Sequence, residues 1–200
     1  VPDIIVSDVM MPRMNGYKLC KTIKEDINIS HIPVILLTAR DDRQSQISGY
    51  KNGADGYLSK PFEVEMLMEL IRNRLKNREY TKKRYLNAGL IPTPEESTIS
   101  LTDETFLIKL NSIIQENIEN SNLGIQFICQ EVGLGRSSLY NKLKALTGMG
   151  ANEYISKLRI EKAITLISGT DMPFSEIAEK TGFTTPSYFS TAFKQYTGET

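Results

Sequence analysis

Residues 3 to 16 read DIIVSDVMMPRMNG, an apolar run that stops at one acidic residue, Asp8, and then breaks into a loop containing proline and glycine. Ile4, Ile5 and Val6 are β-branched, and a short run of this kind bounded by turn residues predicts a buried strand. Asp8 then falls at the strand's carboxyl end, where open α/β sheets place their binding and reacting groups.

Outward from this stretch, Tyr17 to Asp26 carries Leu19 and Ile23 at helical spacing, and Val34 to Leu37 forms a second short apolar run ending at Thr38. Asp42 to Asn52 can form a helix closed at Gly53, and Gly56 to Ser59 reads as a third strand ending at Lys60-Pro61. Val64, Leu67, Ile71 and Leu75 then step along one face of a long amphipathic helix. Strands alternating with helices form a parallel sheet, which leaves every strand's carboxyl end on one edge. Asp8, Thr38 and Lys60 each stand at such an end. A carboxylate, a hydroxyl and an ammonium gathered there suit phosphoryl chemistry, the carboxylate attacking and the other two holding the transferred oxygens. The residues alone leave a structural alternative open, with Asp8 a helix cap, Thr38 a strand-end hydroxyl and Lys60 a solvated charge.

The segments PDIIVSDVMMPRMNG, IPVILLTAR and GADGYLSKPF, in that order, resemble response-regulator receiver domains over residues 1 to about 78. The resemblance implies that Asp8 accepts a phosphoryl group from a histidine kinase and that Thr38 and Lys60 contact it. It also implies that Asp8 and the Met10 backbone carbonyl help hold Mg²⁺ and that Tyr57 is the aromatic switch residue. Receivers carry an acidic pair after their first strand, and two strands and two helices before the strand of the phosphoacceptor. Residues 1 to 200 hold no counterpart of these, and Asp41 and Asp42 follow the wrong strand. The expectation is a receiver lacking its amino-terminal part, with an incomplete Mg²⁺ site and an unpaired edge on the Asp8 strand.

From about residue 81 the chain changes character. Lys82, Lys83 and Arg84 read as a solvated helix end, and Gly89, Pro92 and Pro94 break periodicity, so residues 81–102 are expected to form a linker. Thr102, Asp103 and Glu104 suit the start of a helix running to Glu119, with Leu107, Leu110, Ile114 and Ile118 inward. Ile125 to Val132 reads as a short helix, Gly133 to Gly135 as a tight turn, and Arg136 to Leu146 as a further helix with Leu139 and Leu143 inward. That is a helix-turn-helix. An internal repeat supports it: Leu139, Leu143 and Thr147-Gly148 recur fifty residues on as Phe189, Phe193 and Thr197-Gly198. The second unit comprises Ser175 to Lys180, a turn to Thr185, and a helix from Pro186 to Tyr196. A connector with Tyr154, Ile155, Leu158 and Leu166 on one side joins the two units.

Inward Leu139 and Leu143 leave Arg136, Ser137, Tyr140, Asn141 and Lys144 outward on the first recognition helix. Arg136 and Asn141 can reach base edges, Lys144 phosphate, and Tyr140 a base or a sugar. Ser187, Ser190, Thr191 and Lys194 on the second helix suit backbone positioning, and Arg159 and Lys162 on the connector add positive charge. Arg136 to Lys144 sum to plus three, yet residues 101 to 200 hold nine Lys and Arg against eleven Asp and Glu. A helical module that docks on a protein is therefore the alternative to DNA binding.

RSSLYNKLKALTG, SKLRIEKAITLI and SEIAEKTGFTTPSYFSTAFKQYTG resemble the AraC-type DNA-binding domain over residues 103–200. Gly135 and Gly150-Ala151 depart from its usual helix starts, and its short final helix has no counterpart before Thr200. The resemblance implies promoter DNA as partner, bound as a homodimer. The whole chain is expected to be the carboxyl-terminal part of a hybrid two-component regulator: an incomplete α/β receiver (1–80), a linker (81–102), and an all-α domain with two helix-turn-helix units, acting as a transcription regulator rather than an enzyme. Composition agrees with a cytoplasmic setting free of membrane contact. Charged residues balance at 24 of each sign, Cys20 and Cys129 stand far apart, His31 is the single histidine, and no apolar run reaches membrane-spanning length.

Overall fold

The computed structural model describes residues 2–39, 53–88 and 100–198. The helix expected over Asp42 to Asn52 and half of the linker, residues 89 to 99, lie outside the described residues. The chain divides into two compact units, the main division falling after Thr105, with residues 86–88 grouped with the second unit and 145–147 with the first, and each unit is taken by itself.

The first unit holds β1 (Ile5–Asp8), α1 (Gly16–Glu25), β2 (Val34–Ala39), β3 (Gly56–Lys60) and α2 (Val64–Ala88). The strands are parallel in the order β1-β2-β3, with Asp8 beside Leu37, Thr38 beside Ser59 and Ala39 beside Lys60. All three carboxyl ends therefore share one edge, as the alternation of strands and helices requires. Among the described residues β1 pairs only with β2, so it is an edge strand. The core is Val9, Cys20, Ile23, Val34, Leu36 and Ala54, with Ile5, Leu19 and Tyr57 packed against it. Each fully buried aliphatic side chain there contributes roughly 1.5–3 kcal/mol. Burial pushes the Cys20 thiol up to about 11, which makes it a packing residue rather than a nucleophile.

Two local devices fix α1. Asn15 caps it by accepting the Lys18 N–H at 2.8 Å. Near its other end Lys24 Nζ meets Asp55 at 2.7 Å, and Asp55 also accepts the Val34 N–H at 2.8 Å, so one carboxylate ties the helix to the starts of β2 and β3. Helix α2 runs on to Ala88, so residues 81 to 88 of the stretch read as linker are helical. Lys and Arg are good helix formers, and no proline or glycine stands before Gly89.

The second unit is built from α3 (Leu101–Glu116), α4 (Ile125–Val132), α5 (Arg136–Thr147), α6 (Ala151–Gly169), α7 (Phe174–Lys180) and α8 (Pro186–Thr197). Helix α3 starts at Leu101 rather than Asp103 because Ser100 caps it, its hydroxyl taking the Asp103 N–H at 3.2 Å. It ends at Glu116, three residues short of the expected end. Helix α7 starts at Phe174, one residue early, and the Phe174 ring lies 5.4 Å from Phe189 and 6.0 Å from Phe193. Ile160, Ala163, Ile177, Ala178, Phe183 and Phe189 form the core around α6, α7 and α8. Among the described residues no helix is long and apolar enough to cross a membrane.

Candidate functional site

At the carboxyl edge of the sheet, the Lys60 ammonium is ion-paired with Asp8 Oδ2, and the Met10 N–H donates to Asp8 Oδ1 at 3.0 Å. The Lys60 hydrogen bond, then the Met10 amide, hold the Asp8 carboxyl below its ordinary value. The loop that follows is pinned close. Gly16 N–H donates to the Val9 carbonyl at 3.0 Å, and a Cβ at Gly16 would stand 2.4 Å from the Asp8 carbonyl oxygen, so only glycine lets α1 begin there. The Thr38 hydroxyl is buried and donates to the Ala39 carbonyl at 2.9 Å. Tyr57 packs half-buried on the core, and Met10 is exposed. Of the three side chains expected at this edge, the structure joins Asp8 and Lys60 directly. The Met10 amide, as distinct from its carbonyl, is a contact that side-chain chemistry does not announce.

Mg²⁺ needs an octahedron of oxygen donors, usually with more than one carboxylate or several waters. Among the described residues no three His, Cys, Asp or Glu side chains gather in a way that could hold a metal ion. Asp8 and the Met10 carbonyl are thus a partial donor set, which these residues do not complete.

The second unit presents two matched faces. Ser137, Tyr140, Asn141 and Lys144 are exposed and spaced i, i+3, i+4, i+7 along α5, with Arg136 exposed at its first position. Ser187, Ser190, Thr191 and Lys194 are exposed at the same spacing along α8, each fifty residues later. Two neighbours complete the picture. Gln126 on α4 accepts from Arg136 Nη2 at 3.4 Å, and Tyr188, 54% exposed, stands edge-on to Phe183 with ring centroids 5.6 Å apart. Tyr188 flanks the face of α8 beside inward Phe189, so apolar periodicity leaves it unassigned.

Charge placement differs from the expectation in two respects. Lys142 is 0% exposed, its Nζ lying 5.1 Å from the centre of the Phe106 ring, so Arg136 to Lys144 presents two cations outward rather than three. Arg159 is only 8% exposed and donates from Nη2 to the Asn120 carbonyl at 2.7 Å, so it adds nothing to an outer positive face. Burial lowers its pKa. Lys157 is buried as well and pairs with Glu161 at 3.6 Å. Lys162 is exposed, as expected.

A parallel sheet with a paired aspartate and lysine at its carboxyl edge is thus followed on the same chain by two helix-turn-helix units. Residues 1–72 match the response regulator receiver domain, and residues 128–200 match a helix-turn-helix domain of the AraC type. The chain thus combines a response regulator receiver domain with an AraC-type helix-turn-helix domain. It is 42% identical over 200 residues to histidine kinase P4 of Formosa agariphila, which covers all of this chain and 14% of that protein. It is 30% identical over 162 residues to the probable transcriptional regulator ycf29 of Pyropia yezoensis, covering 76% of this chain and 73% of that protein. Among solved structures, the C-terminal domain of AraT, a response regulator from Geobacillus stearothermophilus, matches 48% of this chain and 78% of its own at 30% identity, with a TM-score of 0.45. The chain therefore spans about one seventh of the length of the kinase it matches and about three quarters of the probable transcriptional regulator ycf29.

Proposed function

We propose that this chain is the output portion of a two-component phosphorelay, in which phosphorylation of Asp8 controls promoter binding by the two helix-turn-helix units. The observation that carries the reading is the pair of exposed faces at one spacing on α5 and α8, on the same chain as the Asp8–Lys60 pair. In this reading residues 1–80 are the receiver, 81–102 the linker and 103–200 the DNA-binding domain, and the protein works in the cytoplasm, where its DNA is. The phosphodonor is a histidine kinase, on the same polypeptide or another. An Asp8 oxygen forms the new P–O bond as the P–N bond to the donor histidine breaks. Lys60 then turns from the carboxylate to a transferred oxygen, and Thr38 and Tyr57 respond from the neighbouring strands. Mg²⁺ belongs to this chemistry in complete receivers, where it would offset charge on the transferred group, and Asp8 with the Met10 carbonyl would supply part of its donor set. The turnover expected is loss of the protein's own phosphoryl group, not processing of an external substrate. On DNA, two copies are expected to bind together.

The test is binding of the 200-residue chain to duplexes selected from a random library, followed by fluorescence anisotropy across a salt series. Sequence-selective binding that weakens with salt supports the reading, and selection that enriches nothing removes it. Docking on a protein is the second reading, favoured by one observation: of the nine cations in residues 101 to 200, Lys142, Lys157 and Arg159 are buried.

A further inference from the structure

From Tyr154 to Ile160 helix α6 is buried at every position but Ser156, and its polar residues reach both halves of the second unit. Tyr154 donates to Asn111 Oδ1 on α3 at 2.8 Å, and Glu161 accepts from the Tyr196 hydroxyl on α8 at 3.1 Å. Between them lies Arg159. Its Nη2 donates to the Asn120 carbonyl in the turn after α3, and its guanidinium carbon stands 5.9 Å from the centre of the Phe183 ring in the turn before α8. Gly182, at φ +73°, closes the junction. A Cβ there would lie 2.2 Å from the Ile118 carbonyl oxygen and 2.8 Å from Arg159 Nη2. The two turns therefore meet across Arg159 with no room for a side chain between them. Phe183 continues the path outward, 5.2 Å from Phe189 and 5.6 Å from Tyr188, both on α8.

The choice of residue is informative. Among the described residues no carboxylate pairs with Arg159, and its Nε has no hydrogen-bond partner. A buried cation with so few compensating groups is a poor way to fill space, since an apolar side chain of similar volume often serves stability as well or better. What arginine adds is a rigid planar fork that can hold a carbonyl in one direction while its face lies on a ring.

We infer that Arg159 is a positioning residue that sets the separation and angle between α5 and α8, and with them the spacing of the two DNA segments the domain can grip at once. The inference rests on the DNA-binding reading and adds a specific component to it. Two linked modules gain affinity only when geometry lets both engage, so loss of the junction should appear in the composite site and not in either part.

The experiment uses the 200-residue chain, wild type, Arg159→Met and Arg159→Lys, against three sets of probes. These are a selected duplex, the same duplex with either half scrambled, and versions with one or two base pairs inserted or deleted between the halves. For Arg159→Met the expected result is about a tenfold loss on the intact duplex, a flattened dependence on spacing, and half-duplex affinities within about twofold of wild type. Arg159→Lys, which keeps the charge and loses the fork, should flatten the spacing profile in the same direction. An unchanged spacing profile in both variants, or equal loss on intact and half duplexes, overturns the inference. So does an Arg159→Lys chain that has lost its helical circular dichroism, which would make Arg159 a requirement of the fold alone. If the wild type selects no duplex, the underlying reading falls and takes the inference with it; a wild type that binds and a variant that shares its spacing profile removes the inference only.

Discussion

Helices α5 and α8 present the same four face positions fifty residues apart, but α5 fills them with a hydroxyl, a phenol, an amide and a lysine beside Arg136, whereas α8 offers three hydroxyls and one lysine. Even those hydroxyls are partly engaged, since Thr191 donates to the Ser187 carbonyl of its own helix at 3.0 Å. Their anchoring is opposite in kind. Helix α5 starts at Gly135 with no side-chain cap and buries Leu139, Lys142, Leu143 and Leu146. Helix α8 buries Phe189 alone and relies on local chemistry at its start, where Thr185 accepts the Tyr188 N–H and Pro186 takes the first helical position. A repeat can thus keep its geometry while one copy is held by several buried side chains and the other by one buried ring and the chemistry of its start. The copy with the larger buried set is the one proposed to read bases.

The sharpest way to break this contrast is Phe189→Ala. It should cost about 3–5 kcal/mol of stability by denaturant melting and loosen α8 in amide exchange, while α5 keeps its protection; uniform loss of protection in both helices would show that the second copy is not separately anchored. Next in size is the reading contrast itself. Arg136→Ala is expected to weaken binding by about 1–3 kcal/mol and relax sequence preference, and Lys194→Ala to weaken all duplexes alike by less, shifting the salt slope. Equal loss of selectivity from both would erase the distinction.

A smaller effect tests the helix starts. Thr185→Ala should cost about 1 kcal/mol, and Gly135→Ser, at a position where a Cβ meets nothing within 4 Å, should stabilise α5 by a few tenths of a kcal/mol. Destabilisation by Gly135→Ser would mean that the uncapped start is needed for another purpose.

The smallest concerns the two phenols tied to α6. Burial pushes Tyr154 up to about 12, and burial together with Glu161 does the same for Tyr196. Raised folded pKa values mean that whatever stability these phenols contribute is complete below pH 10 and is lost as pH climbs toward 12. By screening Glu161, which acts on both phenols, high salt should lower the Tyr196 titration more than that of the more deeply enclosed Tyr154, as absorbance at 295 nm in single Tyr→Phe variants would show. A common salt response would put both in one environment.

The strands and the repeat were legible because their signals are apolar and periodic. Ile5 to Val6, Val34 to Leu37 and Leu58 mark the sheet, and Leu139 with Phe189 marks both recognition helices. What escaped was polar. Lys142, Lys157 and Arg159 carry charges that composition assigns to solvent, and nothing in their spacing reveals a ring at Phe106 or a carbonyl at Asn120 waiting for them. The same limit hid the last turn of α2, residues 85 to 88, which lies beyond the basic run read as its end. At the sheet edge the meeting of Asp8 and Lys60 followed from strand ends alone, but the hydrogen bond from Thr38 to Ala39 depends on a side-chain rotation that sequence does not encode.

The Asp8–Lys60 pair also fixes the size of the signal. With both groups ionised, the resting edge carries a net charge of zero from this pair, so it exerts little field beyond its own contacts. A phosphoryl group on Asp8 would replace a single negative charge with about two, leaving the edge near minus one after Lys60 is counted. In the proposed relay, the signal at this edge is thus an electrostatic step of about one charge.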